Sequence, residues 1–168
     1  MNNKFNPRIQ KFIDQMVAHS REDVPNECCG VIARFAEGRL KLYRATNAEA
    51  SSYRFSIPPG ELHYLYRTIE EDGGEVLVVY HSHTMSEARP SPTDANFSRM
   101  LEGPDDWPYW LLVSLAEDPP SVRIWQMSDG EASELELVAG DLPADSSMVQ
   151  LATSGEERKP VVSETAIT

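Results

Sequence analysis

The chain has 168 residues and a formal net charge of −12 at pH 7. This length suits one domain, which can bury roughly two-thirds of its unfolded surface without disulfide staples. Because the sequence also lacks a basic stripe, its acidic balance argues against a nucleic-acid partner.

The cysteines and the N-terminal sequence bear on the cellular compartment. Cys28 and Cys29 are the two cysteines, and their adjacency cannot build a disulfide framework, which favours a cytosolic protein. The first residues show neither a signal-peptide pattern nor a transit-peptide pattern, and no apolar stretch approaches the roughly 20 residues of a membrane span. We therefore expect a soluble, untargeted, cytoplasmic protein with no membrane partner.

The first half of the chain predicts two helices around a hairpin and a short strand. Apolar residues on one helical face, breakers and alternating runs give, in order, a helix over 7–22, strands over 28–36 and 40–47 joined by a turn at 37–39, a short strand over 53–57, and a helix from 58–60 to the Gly73-Gly74 stop.

The second half predicts a buried central strand, one helix and three further strands. The run Glu75 to Tyr80 is apolar and β-branched, as in a strand buried on both faces that ends near His83. A helix should open at Ser91 and run through Phe97 and Met100 to Gly103. A turn over 104–106 then precedes strands over 107–116, 121–127 and 132–138. The sum is an α/β (α+β) mixed sheet with about three helices, forming a domain over 1–140 with a flexible tail over 141–168.

Three side chains near the end of the central strand have the spacing of a metal site. His81 and His83 are two residues apart, so an extended chain points both imidazoles to the same side. Asp94 occupies the first turn of the following helix, from where its carboxylate could reach back over the strand end. Two imidazoles and one carboxylate are the ligand count of a catalytic zinc site that keeps a fourth position for water.

Each part of this pattern also has a structural interpretation. Ser91-x-x-Asp94 could be only a helix-capping arrangement, and the two His could be ordinary strand residues. A zinc site further needs a base, and spacing alone leaves two candidates. Glu27 lies just before the first predicted strand, and Glu87 lies in the loop that follows the His pair.

The same residues resemble the signature of the JAMM (MPN-plus) metalloproteases: an upstream Glu, then His-x-His-Pro, six residues, Ser, two residues and Asp. The matching set here is Pro25-x-Glu27-x-Cys29-Gly30, His81-x-His83 and Ser91-x-x-Asp94. Thr84 stands where Pro is usual, as in the bacterial Mec-type branch, which cleaves cysteine from a ubiquitin-like sulfur carrier. The resemblance to that branch extends over residues 8 to about 138.

The resemblance implies a JAMM/MPN, cytidine-deaminase-like fold and a zinc metallopeptidase. It assigns His81, His83 and Asp94 to Zn2+, Glu27 to activation of the water, and Ser91 to the oxyanion. The implied reaction is hydrolysis after the C-terminal Gly-Gly of a ubiquitin-like sulfur carrier protein, which releases cysteine or a short peptide.

Other functions remain as alternatives at this point. The chain could be an isopeptidase or processing peptidase for another ubiquitin-like or phage-tail-like protein. A non-catalytic MPN scaffold should have lost ligands, and none is lost here. A zinc nucleoside deaminase would need a Pro-Cys-x-x-Cys ligand pair, which the sequence lacks.

We expect the remaining residues of chemical interest to be structural. These are the two cysteines, as core; His19 and His63, as surface or helix-end residues; and Trp107, Trp110 and Trp125, as core or groove wall.

Overall fold

The computed structural model describes residues 7–36, 39–101 and 108–135. Within these ranges the elements are α1 (Pro7–Asp23), β1 (Cys29–Arg34), β2 (Leu40–Ala45), α2 (Pro59–Glu71), β3 (Glu75–His83), α3 (Pro92–Arg99), β4 (Tyr109–Ser114), β5 (Ser121–Ser128) and β6 (Glu131–Leu135). None of these helices is both long enough and apolar enough to cross a membrane.

The six strands form one mixed sheet in the order β2-β1-β3-β4-β5-β6. β3 and β4 are parallel, whereas every other neighbouring pair is antiparallel. A parallel pair needs a crossover connection, and α3 lies within the one that joins β3 to β4. The predicted mixed sheet with three helices is therefore confirmed.

Helices cover both faces of the sheet, and β3 lies between them. On one face, Phe12 and Met16 of α1 belong to an apolar cluster with Leu77 of β3. On the other face, Leu65 of α2 and Phe97 of α3 belong to a second cluster with further β3 residues. Every β3 residue after the first is buried, as its apolar run predicted.

The predicted strand over 53–57 is wrong. The carbonyl oxygen of Arg54 and the N–H of Ser56 bind the side chain of Asn47, while the Ser56 carbonyl accepts from the N–H of Ala48. Because these hydrogen bonds go to one side chain and a local turn, no strand ladder forms. The buried residues still alternate, with Phe55 and Ile57 inside, which is the pattern that suggested a strand.

Other predicted boundaries differ by a few residues at element ends. α3 stops at Arg99 and does not continue through Met100, because the Met100 N–H turns back to the Phe97 carbonyl at 3.1 Å and tightens the last turn. Strands β1, β2 and β4 are shorter than predicted at their ends. The predicted features at 37–38, 103–107 and 136–168, including Trp107 and the tail, lie outside the described residues.

The prediction of a surface or helix-end role for His19 is also wrong. His19 is only 4% exposed, and its Nδ1 lies 2.9 Å from the hydroxyl of Tyr80 on β3. The inner face of α1 carries His19 against the sheet, and burial lowers the pKa of this imidazole, although Asp23 opposes the effect. His63 is exposed, and Trp110 and Trp125 are buried, as expected.

Candidate active site

The end of β3 places both histidines on the α2 and α3 face of the sheet. His81 and His83 are buried, and their Nε2 atoms lie 3.2 Å apart. Ser82, between them, points to the opposite face, where its hydroxyl accepts a hydrogen bond from the N–H of Cys28 at 2.8 Å. The period of two along an extended strand therefore brings the two imidazoles together.

Asp94 completes a compact triangle of donor atoms with the two histidines. Its Oδ2 lies 3.2 Å from His81 Nε2 and 3.3 Å from His83 Nε2. In a tetrahedral zinc site with ligand bonds of about 2.0–2.1 Å, neighbouring donor atoms are about 3.3 Å apart. The three donor atoms thus have the spacing and chemistry of three corners of a tetrahedral metal site.

A capping box at the start of α3 holds Asp94 in this position. The Ser91 N–H donates to Asp94 Oδ2 at 2.7 Å, and the Ser91 hydroxyl accepts from the Asp94 N–H at 3.2 Å. Pro92 occupies the first helical position, where its missing N–H costs nothing. The two interpretations of Ser91-x-x-Asp94 therefore share one geometry, because the capping carboxylate is the one that faces the histidines.

The second ring nitrogens of the two histidines have different surroundings. His83 Nδ1 lies 2.7 Å from the carbonyl oxygen of Glu87, which places the proton on Nδ1 and leaves Nε2 as a lone-pair donor. His81 Nδ1 is buried without a partner among the described residues. The His81 ring instead stacks on Phe55, with centroids 4.2 Å apart.

Charge and burial shift the pKa values of these three groups in different directions. Burial alone would raise the pKa of Asp94, but charge and a hydrogen bond from His81, and hydrogen bonds from His83 and the Ser91 N–H, hold it below its ordinary value. Burial lowers the pKa of His81, and Asp94 only partly opposes it. At His83 burial is outweighed by Asp94 and the Glu87 carbonyl, and the pKa rises. An ionised carboxylate beside a neutral imidazole suits metal ligation.

Glu27 lies beside this triangle because β1 pairs antiparallel with β3. Cys29 is opposite His81 in that register, so the residues just before β1 reach the end of β3. Glu27, His81 and His83 each place a ligand atom within 4.8 Å of the other two. Glu27 Oε2 is buried and has no hydrogen-bond partner in the described part of the chain.

The environment of Glu27 raises the pKa of its carboxyl group toward neutral pH. Burial raises the pKa of Glu27 to about 7, with the His83 imidazole opposing the rise and the Asp94 carboxylate adding to it. Carboxyl groups perturbed in this way are typical of general acid and base sites. The cluster therefore contains three donor atoms that could bind a cation. Next to them lies the Glu27 carboxyl group, which could exchange a proton near neutral pH.

The competing base, Glu87, is placed elsewhere. Its side chain is 61% exposed and forms ion pairs with Arg89 at 3.3 Å and Arg123 at 3.5 Å. Only its main-chain carbonyl contacts the cluster, through His83. Of the two candidates left open by spacing, the structure brings only the side chain of Glu27 to the histidines.

Both cysteines are buried core residues, as predicted. Burial raises the pKa of Cys28 to about 11, despite hydrogen bonds from Ser20 and Ser82, and raises that of Cys29 well above its ordinary value. Their thiols stay protonated at neutral pH, which makes neither a good nucleophile nor a good metal ligand.

Three residues to which the sequence patterns gave no role in the site lie around the cluster. Phe55 stacks on His81, and the Thr84 hydroxyl donates to the Ser52 carbonyl at 3.2 Å. Asn47 donates to the main-chain carbonyl oxygens of Glu27 and Arg54. Asn47 is the last residue of the predicted strand over 40–47, and its partner Glu27 is 20 residues away in sequence. No local signal could have identified it.

An apolar groove lies near Phe55, the residue that stacks on His81. It has a volume of about 420 Å³ and is lined mainly by α2, α3 and the segment that joins β2 to α2. Phe97 lies in its wall and packs edge-on against Phe55, with centroids 5.1 Å apart. None of the cluster residues lines this groove, and Phe97 and Phe55 connect its wall to the His81 ring.

Comparison with known proteins identifies the family. Residues 10–128 match the family of prokaryotic homologs of the JAB domain. The CysO-cysteine peptidase of Mycobacterium tuberculosis is 37% identical over 128 residues, which cover 73% of this chain and 83% of the relative. The desampylase of Haloferax volcanii is 32% identical over 112 residues, 62% of this chain and 76% of the relative.

A solved structure has a similar fold. The solution structure of protein DSY2949 from Desulfitobacterium hafniense is 28% identical and superposes with a TM-score of 0.61, covering 77% of this chain and 88% of that one. The chain therefore belongs to the prokaryotic JAB-domain proteins of the JAMM/MPN family, in the branch of the CysO-cysteine peptidase type.

Proposed function

We propose that this chain is a zinc-dependent metallopeptidase. Its reaction is hydrolysis of the bond after the C-terminal Gly-Gly of a ubiquitin-like sulfur carrier protein, with release of cysteine or a short peptide. The observation that carries the proposal is the triangle of His81, His83 and Asp94 donor atoms, with sides of 3.2–3.3 Å, beside the buried Glu27 carboxyl. The similarity to CysO-cysteine peptidases supports the substrate class.

In this proposal His81 Nε2, His83 Nε2 and Asp94 Oδ2 hold the zinc ion. Two imidazoles and one carboxylate match the preference of zinc and leave one coordination position open. When bound, the ion supplies Lewis acidity that polarises a carbonyl group and favours ionisation of water near neutral pH. The hydrogen bond from His83 Nδ1 to the Glu87 carbonyl keeps the ring in the required tautomer.

Glu27 and Ser91 have the remaining chemical roles. Glu27 takes a proton from the attacking water and delivers it to the departing amine of the cleaved bond, because its buried carboxyl group lies beside both histidines. The Ser91 oxygen accepts from the Asp94 N–H, so its own hydroxyl hydrogen is available to donate to the developing oxyanion.

The carrier tail binds as an extended chain along the 53–57 segment. On one side of this segment, the Asn47 side chain and the Ala48 N–H form hydrogen bonds with main-chain groups of Arg54 and Ser56. The exposed residues of the segment, Tyr53 and Arg54, offer a surface along which an extended tail can lie. Because Phe55 stacks on His81, such a tail would run beside the cluster.

The test is intact-mass spectrometry of a sulfur carrier that ends in Gly-Gly-Cys, incubated with the zinc-loaded chain. The expected result is loss of one cysteine mass, abolished by a chelator and restored by zinc. Glu27→Gln should slow cleavage by about 10²–10⁴-fold while zinc still binds. Glu87→Gln is the matched control, since it makes the same change at the exposed competing carboxylate. If the wild-type chain binds zinc and leaves the carrier uncut, the proposed reaction is wrong.

A second substrate class has its own support. The desampylase relatives favour a peptidase that acts on another ubiquitin-like conjugate, with the same zinc site and the same base. A panel that compares a carrier with C-terminal cysteine and the same carrier joined to a lysine side chain separates the two. Preference for the lysine conjugate would favour the alternative.

A further inference from the structure

Asn47, two residues after β2, connects the candidate base to the segment beside the cluster. Its Nδ2 donates to the carbonyl oxygens of Glu27 at 3.0 Å and Arg54 at 2.9 Å. Its Oδ1 accepts from the N–H groups of Glu49 at 3.0 Å and Ser56 at 3.2 Å. An amide side chain has two N–H donors and one carbonyl oxygen with two lone pairs, so this half-buried residue uses its full capacity on main chain.

Glu27 depends on these contacts because it precedes β1 and lies outside the strand ladder. Its N–H donates to the Ser51 carbonyl at 2.8 Å, and its carbonyl accepts from Asn47. Its side-chain Oε2, in contrast, has no partner within the described residues. The connection between β2 and α2 therefore holds the main chain of Glu27 on both sides, while the carboxyl group projects toward the histidines.

We propose that Asn47 is a positioning residue for Glu27. It fixes the main chain from which the base projects and, through Arg54 and Ser56, fixes the segment along which the substrate tail is proposed to bind. This inference rests on the proposed function, because it assigns Glu27 to proton transfer. Catalytic geometry is sensitive to such support, since a shift of about 1 Å can cost a rate of about 10²-fold.

Asn47→Asp is the selective variant for this test. It keeps the oxygen that accepts from Glu49 and Ser56, and it removes the donor that binds the carbonyl oxygens of Glu27 and Arg54. We expect kcat on the carrier to fall by about 10-fold to 100-fold, whereas zinc affinity measured by chelator competition stays within about twofold. Asn96→Asp makes the same charge change at an exposed site on α3 and should leave kcat unchanged.

Coupling to the base distinguishes positioning from general stability. In the Glu27→Gln background, Asn47→Asp should cause no further loss of the residual kcat, because its effect on kcat passes through Glu27, whereas its effect on the tail-binding segment changes KM. An equal loss in both backgrounds, or a parallel fall in zinc affinity and unfolding temperature, would show a merely structural role and overturn the proposal. Unchanged kcat in Asn47→Asp would overturn it as well. If that variant does not fold, the neutral Asn47→Ser gives the same comparison.

Amide hydrogen exchange separates this inference from the proposed function. In the zinc-loaded chain, Asn47→Asp should speed exchange of the Glu27 amide by about 10-fold or more, because the segment that holds it is loosened. The Cys28 amide, bound by the Ser82 hydroxyl at 2.8 Å, is the internal control and should not change. Absence of carrier cleavage with this exchange pattern would refute the reaction and retain the positioning. An unchanged Glu27 amide would refute the positioning.

Discussion

Replacing Ser91 by Ala should affect stability and rate by different amounts, because its hydroxyl has two roles. As an N-cap, the Ser91 oxygen accepts from the Asp94 N–H at 3.2 Å. Losing a cap of this kind costs about 1 kcal/mol of unfolding free energy, which lowers the melting temperature of a chain of this size by about 2–4 °C. As an oxyanion donor, the same hydroxyl should contribute about 2.7–4 kcal/mol, so kcat should fall by about 10²–10³-fold.

Two further variants of Ser91 separate these contributions. Ser91→Thr keeps both the cap and the hydroxyl and should retain most of the stability and rate. Ser91→Gly removes the hydroxyl but costs the cap only a few tenths of a kcal/mol, so it should show the rate loss of Ser91→Ala with a smaller thermal shift. Calorimetry and steady-state cleavage of the carrier measure the two effects. If Ser91→Ala loses stability and keeps its kcat, the hydroxyl is only a cap and the oxyanion role is refuted.

Two further predictions concern the sheet and the buried helix face. Gly30→Ala should destabilise the chain by about 1–3 kcal/mol in denaturant unfolding, because a Cβ there would overlap the Tyr80 ring, whereas Gly60→Ala meets nothing and should unfold near the wild-type midpoint; equal midpoints would contradict the close packing. Burial lowers the pKa of His19, so the folded chain favours the neutral imidazole. The contribution of His19 to stability is therefore present above its unfolded pKa of about 6.5 and is lost as the pH falls below that value. Thermal unfolding at pH 7.5 and 5.5 should therefore show a smaller acid loss in His19→Gln than in the wild type or in His63→Gln, and the same loss in all three would refute the effect.

The metal-ligand candidates could be predicted because their geometry depends on local periodicity. The period of two along β3 aligns His81 with His83, and the helix start at Ser91 places Asp94 one turn along. Helix capping by Ser91 and Asp94 is also predicted from local spacing, and the structure shows this capping box. Local patterns therefore described both the capping and the donor triangle.

The choice of base required long-range information that spacing does not contain. Glu27 reaches the histidines because Cys29 pairs with His81 across β1 and β3, and this antiparallel register is not readable from either strand alone. Tertiary contact likewise decided the buried state of His19, whose partner Tyr80 is 61 residues away. Buried and exposed residues alternate over 53–57 as they do in a strand. The Arg54 carbonyl and the Ser56 N–H, however, form hydrogen bonds with the Asn47 side chain and not with a neighbouring strand.

X-ray absorption spectroscopy of the zinc-loaded chain identifies the atoms that bind the ion. A site built from His81, His83 and Asp94 predicts four nitrogen or oxygen neighbours at about 2.0–2.2 Å, with imidazole scattering and no sulfur. Asp94→Asn should weaken zinc binding or change this first shell, because Oδ2 lies at the corner shared with both histidines. A sulfur neighbour at about 2.3 Å, or a first shell unaltered in Asp94→Asn with undiminished affinity, would contradict the assignment.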